Sequence, residues 1–321
     1  MGVAERAEST NLSGLNFCLY SVSGKPVVLL TREPQPSHHF ISTSADQTSF
    51  TMGLRCEVFV LLLFPLFSQG EVTLFVNCSQ FFLNHVPPTV LSDPTNNNRY
   101  QQICQCLLDN NNKLQYYYAT LYDTNNKIPV YSAYELQHAD MERNDYWYVE
   151  PQLDGGSHLC MSGLNQIPSN NRGDHQALNR DYERSGYDKG HLYPVHHTST
   201  HSSMLATFTL TNAAPQDPGF NRGQWRVHEE DLAELLNNAC SKAYVVTGVV
   251  PGDTQIGDGV KVAKYYWSAY CCIKSHTTES AGYVGPDNNG RVQTLTVKDL
   301  ETRLSGPGYY GSPFYVFQGR C

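Results

Sequence analysis

One stretch of the chain, Tyr187 to Glu229, constrains both the fold and the chemistry more than any other. A glycine precedes His191 and permits a tight turn, from which the imidazole can project at a strand end. We expect a short apolar strand to end at Asn212 and a helix to begin at Asn221. A potential general base, an amide oxygen and a carboxylate therefore fall within one short segment, at His191, Asn221 and Glu229.

The predicted helix places three of its side chains on one face. Asn221, Trp225 and Glu229 stand at i, i+4 and i+8, which places them along one helical face. An Asn amide oxygen is a hard ligand that suits Mg²⁺, an ion that keeps most of its waters in proteins. Glu229 lies deeper along the helix, where it can orient those waters rather than bind the metal. Trp225 is expected in the core with the leucines of the same helix.

The charge of the chain argues against a protein that depends on a general affinity for nucleic acids. Charged residues make up 16% of the 321 residues, the formal net charge is −8 and the isoelectric point is near 5.8. Proteins that bind nucleic acids through their overall charge are usually basic. Any attraction for a polyanion must therefore come from a local patch and from a bound metal.

The ten cysteines indicate disulfide bonds and an oxidising compartment. Their spacing matches neither a zinc finger nor a pair of CxxC motifs, which argues against structural zinc. Cys104 and Cys106 cannot easily bridge each other, and neither can the adjacent Cys271 and Cys272. Each is expected to pair with a distant partner, and the sequence leaves the pairing open.

The first 70 residues divide into two segments. Residues 1–51 are polar and without a clear period, so we expect an N-terminal extension that is either unstructured or mis-annotated. Residues 52–70 have the order of a signal peptide: Met52 and Arg55, an apolar run, then Ser-Gln-Gly. The run is too short for a membrane span of about 20 residues, although a buried core strand is an alternative. Removal of residues 1–70 leaves eight cysteines, an even number.

Residues 71–321 show no repeat and no break, and predict a single α+β domain. We expect a mostly antiparallel central sheet flanked by helices. The predicted elements are a short helix at 99–108, a hairpin at 114–136, loops at 157–184, strands at 243–250 and 263–273, and a capped helix at 296–304.

Three motifs in this region, followed by a glutamate, resemble the signature of a known family. The chain has DKGH at 188–191, NAAPQ at 212–216, NRGQW at 221–225 and then Glu229. In order and spacing they resemble the DNA/RNA non-specific endonuclease family, whose core is a ββα-metal motif. The segment MERNDYWYVEPQL resembles the family segment that supplies a phosphate-binding arginine, which here is Arg143.

The resemblance implies a secreted endonuclease that hydrolyses phosphodiester bonds of DNA and RNA, with one Mg²⁺ for which Mn²⁺ can substitute. It implies His191 as general base, Asn221 as the direct protein ligand of the metal and Glu229 beside the metal-bound waters. Asn212 is implied as a support near the phosphate, and Arg143 as a phosphate ligand. An extracellular location without stable membrane association follows from the signal peptide.

The family usually has arginine at the position of Lys189. Lysine keeps the positive charge but lacks the planar fork that grips a phosphate with two hydrogen bonds. Because Lys189 keeps the positive charge at this position, we expect it to act in catalysis and substrate binding. Arg222 is expected as a further substrate-binding residue. The departure bears on rate and affinity rather than on the fold.

Two groups of residues admit a second interpretation. His191, His196, His197 and His201 could form a zinc site, although solvated loop histidines are the simpler reading. Four arginines could line a phosphate path, or could belong to a mixed, solvated surface with the acidic residues among them. The arginines are Arg180, Arg184, Arg222 and Arg226, and the acidic residues are Asp181, Glu183, Glu230 and Asp231.

A second function is also compatible with these features. The acidic charge and Lys189 suit a nuclease-like extracellular binding or interaction protein with weak or no catalysis. The intact set of His191, Asn221 and Glu229 favours the enzyme.

We predict secretion with cleavage near Gly70-Glu71, because the charged, apolar and small-residue segments follow one another from Met52. N-terminal sequencing of protein secreted by a eukaryotic host checks this. A secreted chain that retains residues 1–51 would contradict it.

Overall fold

The computed structural model describes residues 71–139, 142 and 145–321, and the backbone of three strands between residues 11 and 32. The chain divides into two compact units, residues 1–67 and 68–321. The first unit contains an antiparallel sheet of β1 (Asn11–Leu12), β2 (Leu15–Val22) and β3 (Lys25–Arg32). We expected no packed structure in residues 1–51 and did not foresee these strands. The signal peptide predicted at residues 52–70 lies outside the described residues, so the division into domains stays a prediction.

The second unit is built on a seven-stranded, fully antiparallel sheet in the order β12-β11-β10-β9-β6-β5-β4, with a separate two-stranded ribbon of β7 and β8. The strands are β4 (Tyr100–Leu108), β5 (Leu114–Asp123), β6 (Ile128–Glu135), β7 (Asp188–His191), β8 (Ala213–Gln216), β9 (Lys242–Ile256), β10 (Val260–Ile273), β11 (Thr278–Pro286) and β12 (Gln293–Leu295).

Helices pack on both faces of this sheet. They are α1 (Asn179–Tyr182), α2 (His201–Thr207), α3 (Pro218–Phe220), α4 (Arg226–Ala239) and α5 (Val297–Ser305). A π-helical turn, Asn221–Trp225, joins α3 to α4. Short 3₁₀ turns lie at Phe75–Phe81, Leu83–His85, Pro151–Asp154, Leu164–Gln166, Val195–His197 and Leu210–Asn212. The predicted α+β class with a mostly antiparallel sheet is confirmed. In the part of the chain that the structure describes, no helix is long and apolar enough to cross a membrane.

The sheet carries a core on each face because the side chains of β10 alternate. Trp267 and Cys271 pack with Leu300 of α5 on one side. On the other side Tyr270 packs with Leu232 of α4. The ribbon and the helix with the predicted site residues therefore lie on the face opposite α5.

Several sequence predictions are confirmed locally. The hairpin of β5 and β6 and the strands β9 and β10 are present. The helix α5 is capped as expected, since the Thr296 side chain accepts a hydrogen bond from Asp299 N at 3.1 Å.

Two predictions are wrong. The helix expected at 99–108 is the edge strand β4, where Ile103, Cys104, Gln105 and Cys106 are all buried, as tertiary packing on both faces requires. The strand expected to end at Asn212 is instead helix α2 followed by a 3₁₀ turn.

Four disulfides join distant parts of the second unit: Cys78–Cys104, Cys106–Cys160, Cys240–Cys272 and Cys271–Cys321. The near neighbours in sequence do not bridge each other, as expected. All eight cysteines that follow residue 70 are used.

A pair of buried carboxyl groups ties the chain start of this unit to the segment beside the site. Glu71 accepts a hydrogen bond from Cys106 N at 2.8 Å, and Glu150 accepts from Thr209 and Thr211 at 2.9 and 2.8 Å. Burial raises the pKa of Glu71 well above its usual range, and Glu150 beside it raises this pKa further. Burial also raises the pKa of Glu150. At neutral pH the pair of carboxyl groups therefore shares a proton, whereas either carboxyl group alone in water would be ionised.

Glu71→Gln is expected to stabilise the fold at neutral pH by an amount on the order of 1–2 kcal/mol. A raised carboxyl pKa means that the native state binds the proton more tightly than the unfolded state. Wild-type stability therefore falls as pH rises above the ordinary value of 4.5 towards the raised pKa. Gln is neutral at every pH and keeps the acceptor oxygen. Thermal denaturation at about pH 5 and pH 7.5 should show the larger gain at the higher pH. Glu234→Gln on the surface is the control, and an equal loss at both pH values for Glu71→Gln would contradict the interpretation.

Candidate active site

The predicted site residues sit on a strand–strand–helix unit. The ribbon pairs β7 with β8 in antiparallel register, so His191 lies opposite Ala213. The chain then enters the helix at Asp217, whose carboxylate accepts a hydrogen bond from Phe220 N at 3.0 Å and caps α3. The helix begins at Pro218, three residues before the predicted start. This is the ββα arrangement that the sequence predicted.

The ββα unit borders an open cleft of about 290 Å³. His191 lines it from β7, and Asn221 and Glu229 line it from the helix. The complete lining is Ala139, Lys189, His191, Pro194, Val195, His196, Asn221, Arg222, Arg226 and Glu229. The structure thus brings together five of the predicted site residues: His191, Lys189, Asn221, Arg222 and Glu229.

The turn at Asn221–Trp225 interrupts the regular helix between Asn221 and Glu229. Eight residues of regular α-helix would rotate Glu229 about 80° away from Asn221, since each residue turns about 100°. Gly223 leaves helical geometry within this turn (φ −109°, ψ −111°), so the regular rotation does not apply, and both side chains line the cleft. Trp225 is buried in the core, as predicted, and does not line the cleft.

The imidazole of His191 is held by aromatic rings. Its centroid lies 4.8 Å from the Trp147 ring and 4.9 Å from the Phe208 ring, the latter edge to face. Trp147 and Phe208 also contact each other at 5.2 Å. The sequence analysis gave neither residue a role: Trp147 lies in the segment MERNDYWYVEPQL, of which only Arg143 was singled out, and Phe208 belongs to none of the motifs. These contacts restrict the imidazole to one position at the cleft wall.

Asp188 contacts both Asn221 and Arg222, which line the cleft from the helix. Its carboxylate accepts from Asn221 Nδ2 at 2.9 Å and from Arg222 Nε and Nη2 at 2.8 and 2.6 Å. A carboxylate only accepts hydrogen bonds, so the amino group of Asn221 must face Asp188. The amide oxygen is then the end that remains for a cation. Asp188 also raises the pKa of the Arg222 guanidinium above its usual value. Asp188 thus serves as a structural acceptor that joins β7 to the helix.

Lys189 is a half-buried cation on the cleft wall. Its ammonium lies 5.0 Å from the centroid of the Trp147 ring and 5.8 Å from that of Tyr182. Burial lowers the pKa of Lys189, and the nearby Asp145 and Glu183 partly offset this effect. The same indole ring therefore supports both Lys189 and His191.

Asn212 is placed differently from the other predicted site residues. It is fully buried, and its amide makes four internal hydrogen bonds of 2.9–3.0 Å: to Ser132, Thr207 and both backbone groups of Tyr193. Its side chain therefore fixes the turn behind His191 and does not line the cleft, contrary to the expected position near a phosphate. Arg143 lies outside the described residues, so its role stays a prediction.

The histidine-rich loop does not assemble as a zinc site in the described structure. His197 is buried, donates from Nε2 to the backbone oxygen of Glu229 at 2.9 Å and accepts at Nδ1 from Tyr134 at 2.9 Å. Burial lowers the pKa of His197 to about 3, so it stays neutral. No group of three His, Cys, Asp or Glu residues with metal-binding geometry occurs among the described residues.

Comparison with known proteins gives a consistent set of relatives. A model of the DNA/RNA non-specific endonuclease family matches residues 96–310. A human endonuclease domain-containing 1 protein is 33% identical over 186 residues, which are 54% of this chain and 35% of that protein. Its mouse counterpart is 30% identical over 240 residues, 72% of this chain and 46% of that protein.

More distant relatives match shorter parts. Human mitochondrial endonuclease G is 36% identical over 92 residues, 28% of this chain and 31% of that protein. A crystal structure of an EndoG/EndoGI complex has a TM-score of 0.45 at 24% identity, and covers 59% of this chain and 82% of that chain. The chain spans less than half the length of the three curated relatives named here.

Gly190→Ala is expected to destabilise the protein by about 1–3 kcal/mol and to displace His191. A Cβ at this position would clash with Gln216 Oε1 and lie 2.6 Å from the Tyr266 hydroxyl, which itself bonds Ala214 O. Thermal denaturation measures the loss. Gly306→Ala is the control, because a Cβ there would come no closer to a neighbouring atom than 3.2 Å, at Arg303 O. Equal melting temperatures for Gly190→Ala and wild type would refute the packing argument.

Proposed function

This chain belongs to the DNA/RNA non-specific endonuclease family, and we propose that it is a secreted, Mg²⁺-dependent nuclease that hydrolyses phosphodiester bonds in DNA and RNA. The observation that carries the proposal is the shared cleft of His191, Asn221 and Glu229. The relatives named as endonucleases support the reaction class. The four disulfides support an oxidising, extracellular location.

The donor set in the cleft fits a hard cation. The orientation of the Asn221 amide by Asp188 leaves its oxygen for the ion, and the carboxylate of Glu229 lines the same cleft. A site with one amide oxygen and few other protein ligands suits Mg²⁺, which retains several waters, and Mn²⁺ can substitute. When bound, the ion neutralises charge on the phosphoryl group and the leaving oxygen.

The residues of the chain supply the remaining steps. His191, in its neutral form, takes a proton from the attacking water as general base. Trp147 and Phe208 hold its ring, so the orientation does not have to be established during the reaction. Glu229 orients waters beside the metal, and Lys189 and Arg222 bind phosphoryl oxygens. Arg143 is proposed as a further phosphate ligand, and Asn212 as a positioning residue for the turn behind His191.

A weakly active or inactive binding protein is the second candidate. The observation that favours it is the engagement of Arg222 by Asp188 and of Arg226 by Glu230, which lowers the positive charge that the cleft offers. A plasmid-nicking assay with Mg²⁺ and with a chelator separates the candidates. Cleavage that depends on Mg²⁺ supports the enzyme, and intact plasmid at high protein concentration supports the binding protein.

We predict different defects for two variants of the proposed enzyme. His191→Ala should lower the rate by roughly 10²–10⁴, the usual contribution of a general base, and leave Mg²⁺ binding nearly unchanged. Asn221→Ala should raise the Mg²⁺ concentration required and recover partly at high Mg²⁺. Plasmid nicking over a metal titration, with calorimetry of Mg²⁺ binding, measures both effects.

The controls are His201→Ala and Asn238→Ala, since both side chains are exposed and lie outside the cleft lining. Loss of metal binding in His191→Ala but not in Asn221→Ala would move the metal to the histidine-rich loop and overturn the assignment.

A further inference from the structure

Arg226 lines the cleft, and the protein uses only part of its guanidinium. Nε donates to the Arg222 backbone oxygen at 3.1 Å, and Nη1 donates to both carboxylate oxygens of Glu230 at 2.7 and 2.9 Å. A guanidinium has five N–H donors, and within the described residues Nη2 makes no hydrogen bond. The side chain is 51% exposed. One nitrogen of Arg226 therefore remains for a ligand in the cleft.

Arg222 and Arg226 are four residues apart and line the same cleft. They are close in space, since Arg226 Nε donates to the Arg222 backbone oxygen at 3.1 Å. A ligand with one phosphate would engage one of these arginines. A strand with regularly spaced phosphates can engage both.

Glu230 restrains Arg226 in the same way that Asp188 restrains Arg222. Each carboxylate already occupies part of a guanidinium that a phosphate would bind. His196 adds a third group, with Nε2 3.7 Å from Glu230 Oε1. An ion pair as exposed as that of Arg226 and Glu230 is weak, so a phosphate can share or replace the carboxylate.

We propose that Arg226 forms a second phosphate subsite, which binds a nucleic-acid strand at a phosphate next to the reacting one, and that Glu230 limits the affinity of this subsite. The inference rests on the proposed nuclease function. It concerns binding of the strand and requires no role for Arg226 in the chemical step.

The test is binding of a fluorescent single strand of about 12 nucleotides, measured by anisotropy over a range of salt concentrations in a chelator. Arg226→Gln should weaken binding several-fold and lower the slope of log K against log salt by about 0.7, the value for one phosphate contact on a single strand. Glu230→Gln should strengthen binding several-fold, because it releases Arg226.

Matched controls exist for both changes. Arg180 is an exposed arginine paired with Asp258 outside the cleft, and Glu234 is an exposed acid on the next turn of α4. Arg180→Gln and Glu234→Gln alter the net charge by the same amount and should leave the slope unchanged. Circular dichroism establishes that every variant is folded.

The outcomes separate the subsite from the proposed function. If the wild type binds the strand and nicks plasmid in Mg²⁺ while Arg226→Gln keeps the wild-type slope, the subsite alone is refuted. The same holds if Glu230→Gln behaves like Glu234→Gln. If the wild type neither binds the strand nor nicks plasmid, the nuclease function fails and the subsite fails with it.

Discussion

The docking of the ββα unit on the large sheet determines where every cleft residue lies. The hydroxyl of Tyr266, on strand β10, donates to Ala214 O at 2.9 Å and attaches the ribbon to the sheet face. Gly190 passes so close to Tyr266 that no side chain fits at this position. These two contacts fix the distance of β7 from the sheet. His191, at the end of β7, then packs against the rings of Trp147 and Phe208. The position of the imidazole therefore depends on the sheet through the Tyr266–Ala214 hydrogen bond and the close packing of Gly190 against Tyr266.

Much of the site could be predicted because its residues are local in sequence. His191, Asn221 and Glu229 stand at a spacing that a turn and a helix convert directly into proximity. The errors arose where distant partners decide the structure. Strand β4 has a helix-compatible pattern but is buried on both faces by other elements. The segment with Thr209 has the sequence pattern of a strand. The Thr209 hydroxyl, however, donates to the buried carboxyl group of Glu150, 59 positions away, and a local pattern cannot predict that contact.

The electrostatics of the cleft differ from those of the chain as a whole. The net charge of −8 repels nucleic acid at long range, and salt screens that repulsion beyond about 10 Å. Within the cleft, Lys189, Arg222 and Arg226 present positive charge, but two of the three are engaged by carboxylates. In the proposed function, a strand with several phosphates would contact more than one of these cations at once.

The adjacent cysteines of β10 have a consequence for how the protein is made. Cys272 forms a disulfide with Cys240, which follows helix α4. Cys271 forms a disulfide with Cys321, on the opposite face of the sheet. An exchange of these two partners would draw the helix and the tail towards the wrong sides of the sheet. During oxidative folding the thiols of Cys271 and Cys272 compete for the same partners, because their distances along the chain to each partner differ by only one residue. Correct pairing therefore requires that strand β10 forms before the disulfides do. Alternatively, thiol–disulfide exchange must rearrange the bonds until α4 and the segment with Cys321 lie on their own faces of the sheet.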